Sequence, residues 1–178
     1  MPPEEQKPSI PPLFSGRLRR DAWEIIRILL ISFAIVVPIR YFIAQPFIVR
    51  GASMEPAYVD REYLIIDEIS YYFRNPERGE VIVFRYPNDP RQYFIKRIIG
   101  LPGEHVQITD GEIKIYTPEQ KDGFLLRETY VAEENHPTRP SLDIQLGKNE
   151  YYVLGDNRDE SSDSRLWGPL GREFITGR

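Results

Sequence analysis

The stretch EVIVFRYPNDPRQYFIKRIIGLPGEHVQITDGEIKIY, residues 80–116, decides the fold. Glu80–Arg85, Tyr93–Ile99, His105–Ile108 and Glu112–Tyr116 are short and rich in Val, Ile, Tyr and Phe, with Pro, Asn, Asp and Gly between them. That is the signature of strands joined by tight turns, and Asp110-Gly111 is a dipeptide favoured by two-residue hairpins. Further out, Phe47–Arg50, Tyr63–Asp67 and Tyr151–Leu154 read the same way. Neither an internal repeat nor a sustained helical period follows residue 45. A mainly β body over residues 46–178 is expected. Residues 117–148 are more polar, carry Pro118, Pro137, Pro140 and Gly147, and read as a small loop-rich insertion or cap.

Composition agrees and excludes several classes. The 178 residues suffice for one sizeable core, and 16 prolines with 12 glycines argue against a helical bundle. The net charge of −4 comes with no basic stripe interleaved with aromatics, so no nucleic-acid partner is expected. The absence of cysteine rules out thiol catalysis, disulfides and thiolate zinc sites.

The N-terminal region has a different character. Residues 1–21 are proline-rich and polar and end in Arg17, Arg19 and Arg20, the mark of a disordered tail closing in a basic cluster. From Ile25 to Ala44 the chain is mostly apolar over about the 20 residues a spanning helix needs. A cleavable leader would show small residues after the apolar run, whereas Tyr41-Phe-Ile-Ala-Gln-Pro46 stays bulky. A soluble core helix would have a polar face, and an interfacial helix a charged stripe; residues 28–39 have neither. A transmembrane anchor over 22–45 is therefore expected, in contact with membrane lipid. Arg17, Arg19 and Arg20 place its N-terminus in the cytoplasm and the body on the extracytoplasmic side of the cell membrane.

Three segments carry candidate chemistry. Ser53 stands in Gly51-Ala-Ser-Met-Glu-Pro56, where small neighbours allow close approach of a substrate backbone; the plain alternative is a turn serine. Along Gln92–Ile99, alternation puts Phe94, Lys96 and Ile98 on one face and Tyr93, Ile95, Arg97 and Ile99 on the other. If the Lys96 face packs inward, desolvation lowers the amine's pKa and makes it a base; if outward, Lys96 is an ordinary solvated cation. Gly155-Asp-Asn-Arg-Asp-Glu-Ser-Ser-Asp-Ser-Arg165 follows a strand and must satisfy its polar groups mutually if buried. It reads as a surface loop or as a network that aims a hydroxyl at Lys96 and braces the site with Asp163 against Arg165. A calcium loop is the third alternative, but the EF-hand spacing and terminal glutamate are missing. His105 and His136 belong to no metal motif, so neither metal nor organic cofactor is expected.

These segments together resemble the bacterial type I signal peptidases. Gly51-x-Ser-Met-x-Pro56 beyond an apolar segment is similar to that family's nucleophile box, and Lys96-Arg-Ile-Ile-Gly-Leu-Pro-Gly-Glu104 to its general-base box. Gly155-Asp-Asn-Arg-x-x-Ser-x-Asp-Ser-Arg165 is similar to the third box, and Arg78–Phe84 matches as well. The resemblance implies a signal-peptidase-like β-rich catalytic body on one N-terminal transmembrane helix, a monomer that removes signal peptides from exported preproteins. It further implies Ser53 as nucleophile, Lys96 as neutral general base, and Ser161 as the hydroxyl that aligns the amine. Asp163, Arg165 and Asp156 become the supporting scaffold, and Phe47, Val49, Tyr93 and Ile95 the walls of shallow pockets for small residues before the cut. Some members carry a serine two positions before the nucleophile, where this chain has Gly51. That leaves the Ser53 amide as the expected oxyanion donor, with Gly51 contributing shape or backbone. The rivals are a self-cleaving Ser-Lys repressor, which needs a DNA-binding domain, and a tethered binding module, which needs an exposed Lys96.

Overall fold

A computed structural model describes residues 17–38, 44–132 and 140–178, and its contacts separate residues 1–41 from residues 42–178. Helix α1 (Arg17–Pro38) begins with the basic cluster rather than after it. Its large apolar side chains, among them Trp23, Ile28, Leu29, Phe33 and Ile35, are exposed on every side. Among the described residues no helix is long and apolar enough to cross a membrane. The reason is charge. Asp21, Glu24 and Arg27 leave only Ile28–Pro38 uncharged within α1, about 17 Å of helix against the roughly 30 Å of a hydrocarbon core. Residues 39–43, which continue the expected anchor, lie outside the described residues, as does His136.

The described residues between 44 and 178 form three antiparallel sheets. Strands β1 (Ala44–Ile48) and β2 (Tyr63–Asp67) pair with each other. After the short helix α2 (Ser70–Phe73) come β3 (Val81–Tyr86) and the long β4 (Asp89–Gly100). With β9 (Glu150–Leu154), β10 (Leu170–Gly171) and β11 (Ile175–Gly177) they make a five-stranded sheet in the order β10-β9-β4-β3-β11. β5 (His105–Thr109) and β6 (Glu112–Tyr116) are joined by the expected turn, with Asp110 at φ 52° and Gly111 at φ 87°, both left-handed as a tight hairpin requires. Segment 117–148 is less loop-like than its composition: β7 (Phe124–Leu125) and β8 (Leu142–Gln145) flank that hairpin in a four-stranded sheet, β7-β6-β5-β8.

The central strands are buried on both faces, which is why Tyr151–Leu154 shows no polar alternation. Tyr151 and Val153 enter one core with Ile82, Phe84, Ile98 and Leu170. Tyr152 and Leu154 enter a second with Ile99, Val106, Ile108, Ile113 and Ile115, between the five-stranded and four-stranded sheets. The sheets meet at Gly100. A Cβ there would stand 2.6 Å from Val106 Cγ2 and 2.7 Å from Leu146 Cδ1. Gly100→Ala should therefore destabilise the body by about 1–3 kcal/mol through overpacking. Thermal unfolding checks this, and an unchanged Tm would contradict the packing described.

Candidate active site

The site forms where β4 meets two loops. The first, after β1, holds Ser53. Val49 and Glu62 exchange backbone contact through Val49 N–H to Glu62 O at 2.9 Å, and Arg61 N–H returns to Val49 O at 2.9 Å. Met54 is 1% exposed and plugs the loop into the body beside the half-buried Ser53. Gly51 adopts φ +88°, a conformation that side-chain-bearing residues resist, and donates its N–H to Asp60 Oδ1 at 2.8 Å.

Lys96 is 3% exposed, so of the two readings of its strand face the buried one describes the structure. It pairs with Ile82 across β3, between the Phe84–Phe94 pair and buried Ile98. Its Nζ lies 2.7 Å from Ser53 Oγ and donates to the Ile95 carbonyl at 2.8 Å. Desolvation lowers the amine's pKa from 10.5 to about 8; Asp163 and Asp156 oppose the drop, and Arg165 assists it.

The second loop follows β9; its two ends are buried, while Asp159, Glu160 and Ser162 between them are exposed. Asp156 and Asp163 are 0% exposed. Asp163 accepts from Gly155 N–H at 3.0 Å and from Arg165 Nε and Nη2, both at 2.8 Å, and it caps α3 (Ser164–Trp167) through Arg165 N–H. Arg97, on the opposite face of β4 from Lys96, grips Asp156 with Nε at 2.8 Å and Nη2 at 2.6 Å. Asn157 N–H donates to Ser53 O at 3.2 Å and ties the two loops together. The Ser161 hydroxyl is buried and is not among the bonds of Lys96; no partner for it exists among the described residues. It sits instead over Gly155, whose Cβ, if present, would lie 2.2 Å from Ser161 Oγ and 2.4 Å from Ser53 O.

Beside Ser53 and Lys96 opens a cleft of about 530 Å³. Phe47, Val49, Tyr93 and Ile95 line it, and Phe47 and Tyr93 meet edge to face at 5.0 Å. Leu64, Val83, Glu160 and Ser162 also line it, though nothing in the sequence marked them. Arg97 was legible as the neighbour of Lys96 on the other strand face; that it serves Asp156 was not, because the two are 59 residues apart. No cluster of His, Cys, Asp and Glu suited to a metal ion occurs among the described residues.

Residues 22–178 match the family model "Signal peptidase, peptidase S26". A probable signal peptidase I-2 of Synechocystis sp. is 37% identical over 165 residues, covering 89% of this chain and 72% of that protein. Signal peptidase I of Leptolyngbya laminosa is 33% identical over 184 residues, covering 99% of this chain and 87% of that protein. A crystal structure of a signal peptidase I from Enterococcus faecalis superposes with a TM-score of 0.49 at 29% identity, covering 58% of this chain and 96% of that chain.

Holding the Lys96 amine at about 8 rather than 10.5 costs the fold about 3 kcal/mol below pH 8, because there the folded state must keep a charged amine in a desolvated site. Between pH 8 and 10.5 the unfolded chain binds more protons, so stability rises with pH across that window. Lys96→Met should accordingly be more stable than wild type at pH 7, less a pH-independent loss of two hydrogen bonds. That advantage should shrink toward pH 10.5; denaturant titrations of both proteins at several pH values measure it, and a constant difference would refute it.

Proposed function

Because the chain belongs to the signal peptidase family, peptidase S26, and is a serine endopeptidase, we propose that it removes signal peptides from exported preproteins with Ser53 as nucleophile and Lys96 as general base. The observation that carries this reading is the 2.7 Å approach of Ser53 Oγ to a buried amine lowered to about 8. At that value a useful fraction of Lys96 is neutral near physiological pH and accepts a proton through its lone pair.

In the proposed mechanism the Ser53 hydroxyl gives its proton to Lys96 Nζ as Oγ attacks the scissile carbonyl. The oxyanion that forms faces the Ser53 amide. Collapse of the tetrahedral intermediate breaks the C–N bond, and the Lys96 ammonium returns its proton to the departing amine, the new N-terminus of the mature protein. An ester then joins Ser53 Oγ to the end of the signal peptide. Lys96 takes a proton from water as hydroxide adds to the ester; the C–Oγ bond then breaks, the Lys96 ammonium returns the proton to Ser53 Oγ, and the signal peptide leaves as a carboxylic acid that ionises in solution. Ser161 completes the proposed set: its buried hydroxyl has no partner among the described residues, and a rotation that brings it to Nζ would hold the amine in line. Phe47, Val49, Tyr93 and Ile95 narrow the cleft so that small side chains fit before the cut. The apolar sequence from Ile25 to Ala44, behind Arg17, Arg19 and Arg20, anchors the enzyme in the cell membrane with residues 46–178 on the extracytoplasmic side. Substrates held in the same bilayer then meet the site at raised effective concentration.

The test is cleavage of a preprotein with an Ala-x-Ala site by detergent-solubilised full-length protein. A single cut after the second alanine is expected, with kcat/KM rising with pH through about 8 as Lys96 loses its proton. Ser53→Ala and Lys96→Ala should each lower turnover by about 10³-fold or more. Lys96→Arg should not restore it, since a guanidinium stays charged. Cleavage by the Lys96 variants at the wild-type rate, or no cleavage by folded wild type, would overturn the reading.

A further inference from the structure

The segment between β7 and β8 reaches into the scaffold of the active site. Glu128 and Arg158 form a buried bidentate ion pair, their side chains 5% and 1% exposed. Arg158 Nη1 donates to Glu128 Oε2 at 2.9 Å, and Nη2 donates to Glu128 Oε1. The same Oε1 accepts the Tyr130 hydroxyl at 2.9 Å. The Tyr130 ring lies against the other arginine of the scaffold, 4.0 Å from Arg97 Cζ. Burial, and then the neighbouring Glu128 carboxylate, push the Tyr130 phenol well above its ordinary pKa, so it stays a donor.

Both arginines act on one turn. Arg158 Nε donates to Gly155 O at 2.9 Å, and Arg97 grips Asp156. The next residue, Asn157, holds the Ser53 carbonyl, and Gly155 Cα packs under Ser53 O. Arg165 Nη2 meanwhile donates to Arg158 O at 2.6 Å and thereby links this turn to Asp163. A shift of Arg158 or Arg97 therefore moves Gly155–Asn157, and with it the loop that carries the nucleophile.

We propose that Glu128 and Tyr130 are positioning residues for the Ser53–Lys96 pair, acting through Arg158 and Arg97 on the turn at Gly155–Asn157. The inference rests on the Ser-Lys reading above and gives segment 117–148 a part in catalysis at a distance from the reacting atoms. Simple structural support would show in stability alone. Positioning shows in turnover, since a small displacement of reacting groups lowers rate far more than affinity. It also shows in the base itself, because Asp156 and Asp163 raise the Lys96 pKa while Arg165 lowers it. Without the Glu128 charge the turn that carries Asp156 is held less firmly, and displacement of Asp156 from Lys96 weakens its hold on the proton, moving the acid limb of the pH profile to lower pH.

The experiment compares full-length wild type, Ser53→Ala, Glu128→Gln, Tyr130→Leu and the double variant Glu128→Gln/Arg158→Gln on the Ala-x-Ala preprotein. Glu128→Gln should lower kcat by about 10–100-fold while KM stays within about twofold. Its acid limb should move below that of wild type, and the double variant should lose about as much as Glu128→Gln alone, because both substitutions release the same turn at Gly155–Asn157. Tyr130→Leu leaves the Glu128–Arg158 ion pair in place and should also lower kcat, which keeps the proposal testable if Glu128→Gln fails to fold. A lower Tm with kcat and acid limb unchanged, or a double variant whose kcat loss is the product of two independent losses, would overturn the proposal. Wild type that behaves like Ser53→Ala would instead overturn the Ser-Lys reading on which it rests.

Discussion

Everything in the catalytic half of this structure depends on keeping one amine out of water beside one hydroxyl. Lys96 Nζ sits 2.7 Å from Ser53 Oγ at 3% residue exposure. A buried cation resists its surroundings by losing its proton, and that loss is what gives a lysine a lone pair. The burial comes from β4, where Lys96 occupies a strand position flanked by Phe94 and Ile98. The stability cost is spread over a body with two cores that share β4, the lysine's own strand, and β9 beside it.

That constraint explains the heavy pairing of the loop after β9. Asp156 and Asp163 both stand close enough to raise the Lys96 pKa. Left bare, two buried carboxylates would hold the proton on the amine and remove the base. Arg97 answers Asp156 and Arg165 answers Asp163, each through two nitrogens, and each pair also fixes backbone through Gly79 O, Gly155 N–H or Arg158 O. Pairs as buried as these are weak contributors to stability, since desolvation offsets most of their attraction. Their value here lies in the field they set and the geometry they hold.

Local signals were legible and long-range ones were not. The Asp110-Gly111 turn, the strand from Tyr151 to Leu154 and the face shared by Phe94, Lys96 and Ile98 all follow from neighbours along the chain. Alternation left Lys96 undecided between core and solvent, because its second neighbour on that face, Ile98, fits either an inner face or the edge of one; only the packing of β3 and β9 on β4 resolves it. Segment 117–148 reads as loops from its prolines and charges, and the two short strands within it, β7 and β8, need the β5–β6 hairpin to form. Glu128 was invisible as a site residue because its partner is 30 residues away and charge balance in a buried pair has no sequence period.

Gly51 shows how a departure from a family pattern is absorbed. A serine at that position would offer a hydroxyl to the oxyanion, but it would have to adopt the φ of +88° that Gly51 holds. This chain uses the position for shape: the left-handed residue turns its own N–H toward Asp60 at 2.8 Å. That bond ties the loop just before Ser53, while the Asn157 N–H bond to Ser53 O ties it at the serine itself. With the Gly51 amide engaged, stabilisation of the oxyanion in the proposed mechanism falls to a backbone donor at Ser53, whose direction is set by those two tethers. A preorganised amide requires little rearrangement when charge develops. In the proposed mechanism the rigidity of the loop takes over part of what a serine hydroxyl would supply, and only while the Gly155–Asn157 turn stays fixed.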